Sequence, residues 1–140
     1  STATLPAALA LARDQLKLQP SIAGFVLPLG TTMNMAGTAL YEGCVVLFVA
    51  QVFGVDLGMG QQLTLLFLAV LSAVAVAAIP GGSLPLIAGL LATFGIPPEG
   101  IGIILGVDRI LDMTRTMVNV GSDVVTATVV DRYTRLADPT

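Results

Sequence analysis

The feature that most constrains the fold of this chain is a long stretch without charged side chains. Residues 57–98, a run of 42 positions, contain no Asp, Glu, Lys or Arg. A water-soluble domain needs charged and polar side chains over its outer surface, and this run supplies almost none. Because 55% of all residues are hydrophobic and only 11% are charged, the sequence predicts an all-α protein that lies in a membrane.

Composition also excludes several classes of function. A net charge of -3 without any basic cluster argues against a nucleic-acid partner. The single Cys44 cannot form an intrachain disulfide, and without histidine the usual zinc sites and Ser-His-Asp triads have no ligand or base. We therefore expect no enzyme. The first residues lack the basic segment of a signal peptide, and we expect the chain to be a piece of a longer protein.

Proline and glycine divide the apolar sequence into four segments. Residues 1–18 are typical of a short helix, and residues 19–54 of a membrane-spanning helix that is broken around Gly30 and Gly37. Residues 61–95 form two apolar arms that are too short for two full crossings, which favours a re-entrant hairpin with a tip at 80–83. Residues 100–134 are predicted to form a long final helix, whose Arg132 and Arg135 place the C-terminus in the cytoplasm.

The most informative segment is the polar stripe on this final helix. At 100° per residue, six polar side chains share a sector of about 100°. Charged groups facing lipid are costly, so we expect the stripe to face inward. Either Asp112 and Arg115 only neutralise each other inside a helix bundle, or the stripe lines a wet cavity that binds a charged solute and ions. The stripe consists of Asp108, Asp112, Arg115, Thr116, Asn119 and Asp123.

Three further features each permit a structural and a functional interpretation. The polar break around Thr31, Thr32, Asn34 and Thr38 is either a packed kink or a set of oxygen ligands for a hard cation such as sodium. Residues 80–83 are either a tight turn or a tip that binds a carboxylate and acts as a gate. Glu42 is either a solvated helix end or a buried group that carries a proton.

Three motifs together resemble the dicarboxylate/amino-acid:cation symporter family. They are LPLGTTMNMAGTALYEG at 27–43, AAIPGGS at 77–83 and DRILDMTRTMVNVGSD at 108–123. The resemblance implies that residues 1–140 are the C-terminal part of a glutamate-transporter-like transport domain, with 1–18 as the end of its first hairpin. It also implies a multi-pass protein of the cell inner membrane, forming a homotrimer through scaffold helices absent from this chain.

The same resemblance implies roles for individual residues. Asp112 would pair with the amino group of an acidic amino acid, and Arg115 with its side-chain carboxylate. Coupling ions, sodium and/or protons, are implied instead of a cofactor, with Glu42 as a proton site. The substrate-binding set is Ser1, Thr2, Thr38, Ile79, Pro80, Gly81, Gly82, Ser83, Asp112, Arg115, Thr116 and Asn119. The first sodium site is Gly30, Asn34, Asn119 and Asp123, and the second is Thr32, Ala73, Val74 and Val76.

Two segments depart from the family pattern, and one of them is AVAVAAIPGGS at 73–83, which has Ala and Val where relatives commonly carry Ser, Gly or Thr. The other departure is at position 36. The motif reads NMAGT where the family has NMDGT, so Ala36 replaces an aspartate that binds sodium. The function expected from the resemblance is secondary active symport of glutamate or aspartate, by an elevator-like motion. The alternative is a non-transporting fragment or degenerate homologue with a structural or regulatory role in the membrane.

Overall fold

The computed structural model describes residues 2–75 and 82–138, which are helical with no strand among them. This confirms the all-α prediction at the level of secondary structure. The 3-10 turns Thr2–Thr4 and Pro98–Gly100 precede α1 and α6. The α-helices are α1 Leu5–Asp14, α2 Pro20–Met33, α3 Ala36–Val52, α4 Met59–Ala75, α5 Leu84–Thr93, α6 Ile101–Leu105 and α7 Asp108–Ala137.

The helices α2 and α3 follow one another with only Asn34 and Met35 between them. Together they span Pro20–Val52, 33 residues with a mean hydropathy of 1.5, long and apolar enough to cross a membrane. Pro28 lies inside α2 and cannot donate a backbone hydrogen bond. The Thr31 hydroxyl donates to the Pro28 carbonyl at 2.6 Å, which satisfies an oxygen near the end of the helix.

Glycines end two of the apolar helices sharply. Gly54 after α3 and Gly95 after α5 have φ values of 68° and 70°, which side chains other than glycine rarely adopt. After each glycine the chain turns back: the Val55 amide donates to the Ala50 carbonyl at 2.8 Å, and the Ile96 amide to the Leu91 carbonyl at 2.9 Å. Both ends are Schellman motifs, so α3 and α5 stop where the sequence places glycine.

The final helix α7 packs against both α2 and α3, while α3 also packs against α4 and α5. One apolar cluster joins α3 to α4, α5 and α6 through residues such as Val46, Leu65 and Ile87. A second cluster joins α1, α2 and α7 through residues such as Ala12, Leu27 and Ala127. The polar face of α7 therefore lies between two apolar cores.

The helix predicted at 100–134 differs from the observed one. It is interrupted at Gly106 and Val107, where the Val107 amide donates to the Ile104 carbonyl at 3.0 Å, and α7 then continues to Ala137. Glycine is a poor helix former because it loses more backbone freedom than other residues. The two arms of the predicted hairpin are the 17 residues of α4 and the 10 residues of α5. Residues 80 and 81 of its tip lie outside the described residues.

Opposite ends of the chain meet at a polar clamp, formed by Asp131 and Arg135 of α7 with the connector at 15–19. The Gln19 amide donates to Asp131 Oδ1 at 2.9 Å. The Arg135 Nε donates to Asp131 Oδ2 at 2.9 Å, and its Nη2 to the Lys17 carbonyl at 3.0 Å. The clamp therefore fixes the start of α2 against the end of α7.

Candidate functional site

The centre of α7 carries a row of buried polar side chains. Asp112 and Arg115 are each 8% exposed, and Asn119 and Asp123 are each 3% exposed. The steps of three and four residues place all four on one side of the helix. This confirms that the predicted stripe faces the interior, with Asp108 and Thr116 half-buried at its margin.

The Arg115 guanidinium is held from three sides. Its Nη2 donates to Asp112 Oδ1 on the same helix, and its Nη1 donates to Ser83 Oγ at the start of α5. Its central carbon lies 5.2 Å from the centre of the Tyr41 ring in α3, within the range of a cation-π contact. The Tyr41 hydroxyl in turn donates to Asp108 Oδ1 at 2.7 Å. Three helices thus meet at one cation.

Asp112 and Arg115 form the direct ion pair that one of the two interpretations predicted. The pair does not consume the guanidinium, which has five N–H donors. Hydrogen bonds to Asp112 and Ser83 use two of them. The remaining N–H groups suit a carboxylate, which a guanidinium binds through two parallel contacts.

Asn119 bridges α7 to the break between α2 and α3. Its Oδ1 accepts the Gly37 amide at 2.8 Å, and its Nδ2 donates to Thr38 Oγ1 at 3.2 Å. A Cβ atom placed on Gly37 would lie 2.5 Å from the Arg115 carbonyl oxygen, so only glycine allows this approach. The structure therefore brings Thr38 and Asn119 together, as predicted for the site.

A small cavity, lined largely by apolar side chains, lies beside the carboxylate of Asp123. Its Oδ1 is buried without a hydrogen-bond partner in the described part of the chain. A Cβ atom placed on Gly30 would lie 2.5 Å from this oxygen. The Asn34 side chain, which donates to Ser122 Oγ at 2.9 Å, lines the same cavity of about 260 Å³ as Gly30 and Asp123. An unpaired carboxylate oxygen beside oxygen-bearing groups suits a hard cation.

The described part of the second predicted sodium site has no such arrangement. The Thr32 hydroxyl is exposed and donates to the Leu29 carbonyl at 3.0 Å. Ala73 is buried against Met35, and Val74 is half exposed. Thr32 lies in α2, whereas Ala73 and Val74 lie in α4, and the structure does not gather these three residues around one point.

Glu42 is fully buried in α3, so its interpretation as a solvated helix end is wrong. Its Oε2 accepts a hydrogen bond from Ser72 Oγ of α4, while Oε1 is buried without a partner among the described residues. A buried carboxyl group with one hydroxyl partner suits the protonated form, because a charged form would be poorly satisfied. Glu42 is therefore a buried carboxyl group whose Oε1 lacks a hydrogen-bond partner among the described residues.

Some predicted residues lie elsewhere. Thr2 is exposed in the first turn, and Gly82 immediately precedes Ser83. Ser1, Val76, Ile79, Pro80 and Gly81 lie outside the described residues.

The predicted set does not include Tyr41, Ser72 and Asp131, which take part in the observed networks. The first two gain their roles through contacts between helices, which no spacing along the chain reveals. Asp131 lies outside the sector of about 100° that defined the polar stripe, because each step of four residues turns about 40° around the helix. Its buried position continues the same row through Ala127.

The family assignment follows from comparison with known proteins. A model of the sodium:dicarboxylate symporter family matches residues 1–133. The chain therefore belongs to this family, as the three motifs predicted.

Individual relatives agree with this class. The proton/sodium-glutamate symport protein of Bacillus subtilis is 40% identical over 118 residues, covering 84% of this chain and 28% of that protein. Excitatory amino acid transporter 3 of Mus musculus is 38% identical over 135 residues, covering 96% of this chain and 26% of that protein. An excitatory amino acid transporter of Caenorhabditis elegans is 37% identical over 135 residues. The chain spans about a quarter of the length of these relatives.

Proposed function

We propose that this chain forms the substrate- and ion-binding part of a secondary active symporter for acidic amino acids. The observation that carries the proposal is the buried Arg115, whose partners Asp112 and Ser83 come from two different helices. A guanidinium kept away from water is costly unless it has a function or complete pairing. The names of the relatives, which are glutamate symporters and excitatory amino acid transporters, support the same substrate class.

The internal ion pair explains how a zwitterion with a second carboxylate would be selected. The amino group of the substrate would pair with Asp112, and its side-chain carboxylate would bind the free N–H groups of Arg115. Thr38, Thr116 and Asn119 would serve the remaining polar groups. A dicarboxylate without an amine would leave Asp112 poorly paired, which disfavours it.

The coupling ions are proposed to be sodium, protons or both. Gly30, Asn34, Asn119 and Asp123 would hold sodium, since Asp123 Oδ1 has no partner among the described residues and Gly30 leaves space beside it. Glu42 would carry a proton next to Ser72. The second sodium site would use Thr32 with Ala73, Val74 and Val76. Ions that bind only together with the solute would link their gradients to its movement.

The organisation of the chain in the membrane is part of the proposal. Residues 1–18 would end a first hairpin, 19–54 form a broken membrane helix, 61–95 a re-entrant hairpin and 100–134 most of the final membrane helix. The tip residues of the two hairpins would close over the solute from opposite sides. The whole protein would be a homotrimer in the cell inner membrane, assembled through further helices.

The experiment is calorimetric titration of the purified full-length protein with aspartate and glutamate, with and without sodium. We expect binding that sodium strengthens, and uptake into proteoliposomes driven by a sodium or a proton gradient. Changing Arg115→Ala should lower aspartate affinity by at least a hundredfold and abolish the preference for acidic over neutral amino acids. Retained selectivity in this variant would contradict the assignment.

The second candidate is a non-transporting member of the family, and Ala36 favours it. The aspartate that binds sodium in the family motif is missing at this position. If the wild-type protein fails to bind both aspartate and glutamate, whether or not sodium is present, this second candidate is supported.

A further inference from the structure

Ser83 uses its side chain in an unusual way for its position. It is the residue immediately before α5, where serine commonly accepts a hydrogen bond from an amide of its own helix. Among the described residues its side chain makes no such capping bond. Instead it is 1% exposed, and its Oγ accepts a hydrogen bond from Arg115 Nη1. The hydroxyl therefore contacts Arg115 of α7 instead of capping the amino-terminal end of α5.

This contact completes the restraint on Arg115. Asp112 holds one end of the guanidinium from α7, and the Tyr41 ring covers one face from α3. Neither of these two contacts fixes the position of Nη1 within the plane of the guanidinium group. Two-point recognition of a carboxylate depends on the orientation of that plane, because both N–H groups must point at the two oxygens together.

We propose that Ser83 is a positioning residue that sets the guanidinium plane of Arg115 and thereby the preference for acidic amino acids. This inference rests on the proposed function, in which Arg115 binds the substrate carboxylate. The resemblance places Ser83 in the substrate-binding set, but its hydroxyl accepts from Arg115, so its side chain would act through Arg115 rather than by touching the substrate. Because Ser83 immediately precedes α5, the selectivity of the site depends on where this helix starts.

The first test compares aspartate dissociation constants of full-length variants by calorimetry. Ser83→Ala should weaken aspartate binding about tenfold, the usual scale for loss of a hydrogen bond to a charged group. Ser83→Thr keeps the hydroxyl and should remain within about threefold of wild type. Thr93→Ala is the matched control, since this hydroxyl lies at the other end of α5 and donates to the Gly89 carbonyl at 2.8 Å. An S83A affinity within twofold of wild type would overturn the proposal.

A double-mutant cycle separates positioning from direct contact with the substrate. In an R115K background the guanidinium is absent, so adding S83A should change aspartate affinity less than about twofold. If S83A lowers aspartate affinity by the same factor in the wild-type and R115K backgrounds, Ser83 acts independently of Arg115 and the positioning role is wrong. Should R115K bind too weakly for titration, the same comparison is made by competition of aspartate against a labelled neutral amino acid.

A measurement without substrate distinguishes failure of this inference from failure of the proposed function. A cysteine is introduced by Gly82→Cys in a protein with all native cysteines, including Cys44, replaced by alanine. Losing the contact with Arg115 should free the start of α5, so S83A and R115K should each accelerate maleimide labelling severalfold. Unchanged labelling in both overturns the inference even if aspartate binds. If S83A and R115K are labelled faster than wild type but the wild type binds no acidic amino acid, the contact is supported and only the proposed function is rejected.

Discussion

Two carboxylate oxygens, Glu42 Oε1 and Asp123 Oδ1, are buried without a hydrogen-bond partner among the described residues. A buried oxygen of this kind is costly unless a proton or a cation satisfies it. Glu42 lies on α3 and Asp123 lies on α7, the helix that carries Arg115; these are the positions proposed for the proton and for sodium. At the scale of single residues, the proposed ion coupling therefore depends on these two atoms.

The cation position depends on the absence of a side chain at residue 30. Changing Gly30→Ala would place a Cβ atom 2.5 Å from Asp123 Oδ1, so the carboxylate must move. We expect the sodium concentration needed for half-maximal aspartate binding to rise by about tenfold or more, equivalent to about 1.4 kcal/mol. Titration of aspartate binding with sodium measures this.

Gly24→Ala is the matched control for that variant. It lies in the same helix, and a Cβ atom there would meet nothing within 4 Å. Wild-type sodium dependence in both variants would show that Asp123 does not bind the ion.

At the scale of helices, α3 approaches α7 closely. Gly37 permits it, because a Cβ atom there would lie 2.5 Å from the Arg115 carbonyl and 3.0 Å from Asn119 Oδ1. The Arg115 carbonyl is backbone and cannot easily yield, and Val118 Cβ, which is attached directly to the backbone of α7, would lie 2.9 Å away. The packing of these two helices therefore determines the position of the polar row as well as the stability of the fold.

The change Gly37→Ala should force α3 away from α7. We expect a loss of about 1–3 kcal/mol in the free energy of unfolding, the usual cost of overpacking. The hydrogen bond from the Gly37 amide to Asn119 should also weaken, so aspartate affinity should fall together with stability. Thermal unfolding in detergent and calorimetry measure the two effects. Gly43→Ala in the same helix, where a Cβ atom meets nothing within 4 Å, should show neither change.

The sequence predicted some of these elements well and others poorly, for physical reasons. The row at Asp112, Arg115 and Asn119 follows from helical period and the cost of charge in lipid, both local rules. The interruption at Gly106 did not follow, because an isolated glycine is compatible with either a continuous or a broken helix. The direction of Ser83 toward Arg115 also required the packing of α5 against its neighbours.

At the scale of the whole molecule, much of the apolar surface remains exposed. On α4 the side chains of Leu66 and Phe67 are 61% and 64% exposed, and on α7 that of Met117 is 75% exposed. Surfaces of this kind mark contact with lipid or with other membrane helices. This agrees with a unit that is surrounded by bilayer and by the remainder of a larger transporter.

The clamp at Asp131 should hold this unit together across its sequence ends. Changing Asp131→Ala removes the acceptor for the Gln19 amide and the partner of Arg135. We expect a loss of about 1–3 kcal/mol in stability and a loosened connector. Cleavage by trypsin after the exposed Lys17 should accelerate severalfold, as followed by mass spectrometry.

Asp56→Ala, in an exposed loop, is the control for the clamp and should leave the cleavage rate unchanged. Equal cleavage of wild type and the D131A protein would show that the clamp does not restrain the connector.

The same clamp has a consequence for biogenesis. Gln19 and Asp131 are separated by 112 positions, so the ribosome makes the first long before the second emerges. The connector before α2 consequently enters the translocation machinery without its anchor, and acquires it only after the final helix has been synthesised. Formation of the clamp is therefore a late event in the assembly of the protein. Nascent chains truncated before Asp131 should retain a loose connector at 15–19.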